Sequence, residues 1–94
     1  MQAGAVGAVM TTKQWAVLRL LEANPGGLYG SQFVQMAGIG RGTIYVLLER
    51  LVDRGLVREV DEPATSELRL PRTRHFITDA GLQQLSALRQ PPGA

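Results

Sequence analysis

The residues best suited to chemistry in this chain of 94 lie in one short run, Arg41-Gly42-Thr43-Ile44-Tyr45-Val46. A guanidinium, a glycine and two hydroxyls within a turn and a half of helix suit the binding of an anion better than the breaking of a bond. A helix amino terminus presents unpaired N–H groups and the positive end of the helix dipole, so it attracts phosphate. Gly42 lets a backbone come close. Thr43 either caps the helix or donates its hydroxyl to phosphate, and Tyr45 either donates its hydroxyl or packs on its neighbours. Val46 offers a small apolar surface to a thymine methyl. Arg50 follows, either reaching a phosphate or pairing with Glu49 or Asp53. A second basic group, Arg69, Arg72 and Arg74, comes later with no acid among its members. Strand alternation sets Arg72 and Arg74 on one face, suited to phosphate or minor-groove contact, or else to an ordinary solvated hairpin.

Other chemistries find little support. There is no cysteine and one histidine, His75. Zinc fingers, disulfides and thiol nucleophiles are therefore excluded, and with no carboxylate pair at ligand spacing no metal site is expected. His75 is expected to be a half-buried strand residue. No nucleophile sits beside a base, so an enzyme is not expected. The glycines of Gly38-Ile39-Gly40-Arg41-Gly42 do not read as a nucleotide loop, since no strand precedes them. They read as a turn between two helices, with Ile39 turned into the core. No cofactor is indicated.

The elements that must position these residues follow from spacing. Ile44, Leu47, Leu48, Leu51 and Val52 recur every three or four residues and share one face of a helix; Thr43, Val46, Glu49, Arg50 and Asp53 share the other. Gly55 stops this helix. Before it, Thr11 with Gln14 forms a capping box that opens a helix over Thr12–Ala23. Asn24-Pro25-Gly26-Gly27 ends that helix, and a short one over Gly30–Ala37 carries the stripe Phe33, Val34 and Ala37. After Gly55, the segment Leu56-Val57-Arg58-Glu59-Val60-Asp61 alternates as a strand. Residues 74–78 are a second strand, with a loop holding Pro63 and Pro71 between them. Thr78 caps a last helix over residues 79–90. A helix-turn-helix followed by a two-stranded wing and a closing helix results. The expected fold is mainly α with a small β-hairpin, in the order α-α-α-β-β-α.

One domain is expected, over residues 11–90, with a loose arm over residues 1–10 and a tail over residues 91–94. The first ten residues are apolar but lack a basic start and a run of about 20 apolar residues, so neither a signal peptide nor a membrane span is expected and a cytoplasmic location is. Net charge is +2 and the pI about 9.7.

Several strings together resemble the PadR family of winged-helix transcription regulators: Leu28-Tyr29-Gly30, then Gly42-Thr43-Ile44-Tyr45, then Leu48, Arg50, Leu51 and Gly55-Leu56-Val57, then Pro71-Arg72 and Ile77-Thr78-Asp79-Ala80-Gly81. The resemblance implies a dimeric, repressor-like protein that binds duplex DNA at a pseudo-palindromic operator. Val46 stands where many members have proline. Members usually dimerise through a longer last helix or added helices. Here a smaller homodimer is expected from the first and last helices, through Trp15, Leu18, Leu21, Leu82, Leu85 and Leu88. The reading is a sequence-specific DNA-binding regulator acting by operator occlusion. The alternative is a winged-helix module that binds protein, with the acidic run from Glu59 to Glu67 in its contact surface. No small-molecule effector is indicated.

Overall fold

Thr11 opens the first helix through reciprocal bonds: the Gln14 amide donates to Thr11 Oγ1 at 3.1 Å, and the Thr11 amide donates to Gln14 Oε1 at 3.0 Å. This capping box satisfies two backbone donors that would otherwise be orphaned at a helix start. In the computed structural model, which describes residues 10–67 and 70–89, α1 covers Thr12–Ala23. Then come β1 (Leu28–Tyr29), α2 (Gly30–Ala37), α3 (Arg41–Asp53), β2 (Val57–Glu62), β3 (Arg72–Ile77) and α4 (Asp79–Arg89). The arm and tail expected at the two ends lie outside the described residues, apart from Met10, and so does Arg69.

Two differences from the sequence reading concern strands. Leu28 and Tyr29, which the expected order α-α-α-β-β-α leaves without an element, form a strand that pairs antiparallel with β3, Leu28 opposite His75 and Tyr29 opposite Arg74. The order is therefore α-β-α-α-β-β-α, and the sheet is three-stranded, β1-β3-β2. A strand of two residues carries no periodicity of its own, so only its partner reveals it. The second wing strand also starts earlier than residue 74. Arg72 and Thr73 join it because β2 runs on to Glu62, and the register carries Asp61 opposite Thr73 and Glu62 opposite Arg72.

The core lies where α3 meets the other helices and the sheet. Ile44, Leu47, Leu48 and Leu51 of α3 are buried against Val17, Leu18 and Leu21 of α1, Phe33 of α2, Leu56, Val57 and Leu85. Ile39 from the interhelical turn is buried there too, as its position between the glycines suggested. His75 differs from expectation: it is fully inside, 3 % exposed, with its ring edge-on to Phe33 at 6.2 Å between centroids. Its two nitrogens each face an oxygen at 3.3 Å, Nδ1 towards the Leu28 carbonyl and Nε2 towards Glu59. Burial of the ring is tolerated because both polar atoms have partners.

Two ties fix the wing and the last helix. At the wing root, the Tyr29 hydroxyl donates to Glu62 Oε1 at 2.6 Å, Arg74 Nε donates to Glu62 Oε2 at 2.8 Å, and Arg74 Nη2 also donates to the Tyr29 oxygen. Residues from all three strands thus meet in one cluster. At the other end, Thr78 Oγ1 donates to the Gly55 carbonyl at 2.6 Å and accepts from the Gly81 amide at 3.1 Å. Gly81 is buried so tightly that a Cβ would collide with the Leu56 carbonyl oxygen and stand 2.6 Å from Ile77 Cγ1.

Two outcomes are expected. Gly81→Ala should lower stability by about 2 kcal/mol, the usual scale of overpacking against backbone, seen as a lower thermal midpoint; an unchanged midpoint would mean that α4 is not seated on Leu56. The second concerns acid. The hydrogen bond from Arg74, and then that from Tyr29, holds the Glu62 carboxyl below its ordinary value of 4.5, outweighing desolvation. A depressed folded value means that the pairing stabilises the wing above the unfolded value and is lost as pH falls through the folded one. The cluster is solvent-accessible, so the effect should be small and weakened by salt. An NMR titration of the Glu62 carboxyl should give a midpoint below 4.5 in the wild type, returning upward in Arg74→Ala; equal midpoints would show that the pair does not form.

Candidate nucleic-acid interface

The third helix offers its opening turn to solvent. Its N-cap is Gly40, which has no side chain to receive the free amides, and the first intrahelical bond of the turn is from the Ile44 amide to the Gly40 carbonyl at 2.9 Å. The amides of Arg41, Gly42 and Thr43 therefore precede the hydrogen-bonded ladder, at three exposed residues. Thr43 was considered as a cap; it is the third residue of the helix instead, and Gly40 holds the cap position. Its hydroxyl is left facing solvent. Nothing lies within 4 Å of a Cβ built on Gly42, so the space above this turn is open.

Tyr45 flanks the turn, 46 % exposed, with its ring laid over the start of α2: a Cβ at Gly30 would stand 2.7 Å from Tyr45 Cε1. Gly30 is thus needed for close approach, and it aims the tyrosine ring along the surface between α3 and the wing. That surface is a groove of about 540 Å³, lined by Gly30, Ser31 and Tyr45 at the helix starts, by Arg41 and Arg72 as its cations, and by Glu67 and His75 among the remaining residues from the wing side. The openings of two helices and one edge of the wing converge on it. Val46 is 46 % exposed, and Arg50 is exposed as well.

The wing arginines separate into different roles. Arg74 is not available as a free cation: it bonds Glu62, and Arg74 Nη1 donates to the Gly26 carbonyl at 3.1 Å. Its charge is paired at the wing root, whereas the sequence reading offers it, with Arg69 and Arg72, for phosphate or minor-groove contact. The sequence hid this because Glu62 lies 12 positions away in the chain and only the hairpin register brings the two together. Arg72 is exposed and stacks on the Tyr29 ring, 3.7 Å from its centroid. The stack holds it at the groove, whose lining it shares with Arg41. Tyr29 is the residue that site reasoning missed. Its signal was indirect: an aromatic just before a helix start, close to the wing only through β1.

The apolar residues suggested for a dimer also divide. Leu18, Leu21 and Leu85 are fully buried in the chain's own core, so they are not surface residues. Helical periodicity gives which residues share a face but not whether that face is already covered. Leu82 and Leu88 remain exposed, at 41 % and 52 %, and Trp15 is half-buried against the core. The helices that bear them, α1 and α4, are tied by two bonds from Arg89 to Glu22, at 2.9 and 2.7 Å.

No helix among the described residues is long and apolar enough to cross a membrane. No group of three or more His, Asp or Glu side chains among them is placed to hold a metal ion.

With this geometry in view, comparison with known proteins is informative. The PcaV transcriptional regulator of Streptomyces coelicolor, solved with its natural ligand, is 35 % identical, with a TM-score of 0.65 over 79 % of this chain and 49 % of its own. A probable transcriptional regulator of Pseudomonas aeruginosa is 29 % identical, with a TM-score of 0.70 over 92 % of this chain and 61 % of its own. The chain thus spans between about half and three fifths of the length of these two regulators. A PadR family regulator of Clostridium difficile superposes with a TM-score of 0.72 over 85 % of each chain, at 19 % identity, a likeness that shows the winged-helix fold alone. No curated protein matches the chain. The PadR resemblance therefore holds at the level of the winged helix and not of the family. The family model that matches is that of the MarR family, over residues 10–65, more than half of the sequence. By that match, the chain belongs to the MarR family.

Proposed function

We propose that this protein is a DNA-binding transcription regulator that inserts the first turn of α3 into the major groove and sets its wing along the flanking backbone. The observation that carries the proposal is the opening of α3: three amides ahead of the helical ladder, no side-chain cap, open space above Gly42, and Arg41 beside it. A helix start left uncapped in this way is stabilised by a phosphate. Thr43 and Tyr45 donate hydroxyls from the same end, Val46 offers a methyl surface, and Arg50 reaches from the next turn. Arg72, held on Tyr29, contacts the backbone from the wing. The PadR-like string Gly42-Thr43-Ile44-Tyr45 supports the same use of the first turn. Regulation is by occlusion of an operator, with two copies on a pseudo-palindromic site.

For the pairing of two copies, Leu82 and Leu88 on α4 are the exposed members of the six residues expected at the contact, and Trp15 is partly buried. They supply a small part of the roughly 800 Å² per partner that a stable interface takes. Residues 10–89 are therefore expected to associate weakly by themselves, with DNA aligning the two copies. Sedimentation at tens of micromolar, with and without a palindromic duplex, measures this. A tight dimer without DNA that survives Leu88→Glu would place the contact elsewhere.

The test of DNA contact is a mobility shift at fixed salt. Thr43→Ala combined with Tyr45→Phe should weaken specific binding by about 1 kcal/mol for each hydroxyl lost, with the thermal midpoint unchanged. Arg72→Ala should reduce the slope of log affinity against log salt by about one per copy. Arg74→Ala should act through the stability of the wing instead. Full affinity in the double variant together with an unchanged slope in Arg72→Ala would refute this placement of the DNA surface.

A further inference from the structure

The outward face of α3 is not uniformly suited to a polyanion. Opposite the buried seam of Ile44, Leu47, Leu48 and Leu51, the helix sets Gly42, Val46, Glu49 and Asp53 along one line, with Arg50 at its side. Glu49, Arg50 and Asp53 are all exposed. None of them makes a side-chain hydrogen bond or ion pair among the described residues; the ion pairs there join Arg74 to Glu62, His75 to Glu59 and Arg89 to Glu22. The pairing of Arg50 with Glu49 or Asp53 considered from the sequence is not formed. Two carboxylates without a bonded partner among the described residues therefore follow the first turn along its outer face, beside a hollow that they share with Tyr45, Glu59 and His75.

A free carboxylate near phosphates weakens binding, yet an ionised carboxylate is also a pure acceptor of hydrogen bonds. In the major groove the donors are the exocyclic amines of cytosine and adenine, and adenine sets an acceptor beside its amine, whereas a carboxylate suits the lone donor of cytosine. Position separates the two acids. Asp53 is the last residue of α3, about 16 Å along the axis from Gly42, while Glu49 is about 10 Å from it. Only the short Val46 intervenes on that line, so nothing on the helix bars Glu49 from the groove floor. We propose that Glu49 is a specificity-determining residue: it accepts a hydrogen bond from the exocyclic amine of a cytosine in each half-site. Its charge also penalises every register in which it would meet a phosphate or a base acceptor. Asp53, further along, keeps the carboxyl end of α3 clear of the backbone. The proposal rests on the DNA-binding reading and deepens it.

Selection of duplexes from a random pool tests it, carried out in parallel with the wild type, Glu49→Ala and Glu49→Gln at one salt concentration. Glu49 is exposed and unpaired, so both variants should melt as the wild type does. The wild type should enrich one cytosine per half-site at a fixed distance from the bases read by the first turn. Glu49→Ala should lose about tenfold of the discrimination at that position alone, and should bind random duplex more tightly than the wild type. Glu49→Gln should move the preference there towards adenine, whose amine and N7 match an amide. Position-by-position preferences in Glu49→Ala that match the wild type would overturn the proposal while leaving DNA recognition in place. A wild type that enriches no sequence would overturn the DNA reading itself and this inference with it.

Discussion

The apolar seam of α3 is the constraint from which the rest of the molecule takes its position. Ile44, Leu47, Leu48 and Leu51 are all at most 6 % exposed, and they share one buried cluster with residues of both preceding helices, the sheet and Leu85. A helix with one face so completely covered has no freedom to rotate, since a turn of even one residue would bring Arg50 or Glu49 inwards. Its outer face is fixed by the same packing. Gly42, Thr43, Val46 and Glu49 are exposed because the seam is buried, and the amino-terminal turn protrudes because Gly38 to Gly40 end α2 directly before it. The rigid presentation of these side chains thus comes from hydrophobic burial of the opposite side.

Around that helix, polar ties set the angles of the other parts. The wing is joined to the body through Tyr29, which is at once a strand residue opposite Arg74, a hydrogen-bond donor to Glu62 and a stacking surface for Arg72. One aromatic side chain therefore fixes the direction of the wing and holds a cation at its edge. The division between Arg72 and Arg74 follows from this. Two arginines on the same strand face share a tyrosine, but one carboxylate lies within reach of Arg74 and satisfies it. The last helix is set by a different device, the close seat of Gly81 on Leu56 and Ile77, reinforced by Thr78 at both its groups.

The charge pattern fits a molecule with modest overall charge and a local preference for anions. The net charge of +2 would make a weak electrostatic footprint. Placement then matters more than the sum: Arg41 and Arg72 line the groove beside the uncapped turn together with Glu67, while the acids Glu49 and Asp53 lie further along the helix. Such a gradient along one helix favours entry by its amino end.

Much of this was legible in the sequence where the cause is local. The Thr11–Gln14 capping box, the bounds of α1 and α2, the stop at Gly55, the buried and outward faces of α3 and the cap by Thr78 depend on residues within one or two turns of each other, and each appears as read. So does the start of α3 at Arg41, because helix starts and apolar spacing are local signals. What only the tertiary structure decided depends on residues far apart in the chain. The strand at Leu28–Tyr29 exists because β3, more than 40 residues later, offers it a partner. The full burial of His75 depends on Leu28 and Glu59, which two other strands bring to its ring nitrogens. Arg74 looked like a free cation until the hairpin register placed Glu62 beside it. Leu18, Leu21 and Leu85 looked available to a second subunit until the helices closed on one another. Periodicity determines which side chains share a face; whether that face meets water, a partner or the chain itself is set by contacts whose energy depends on the whole fold.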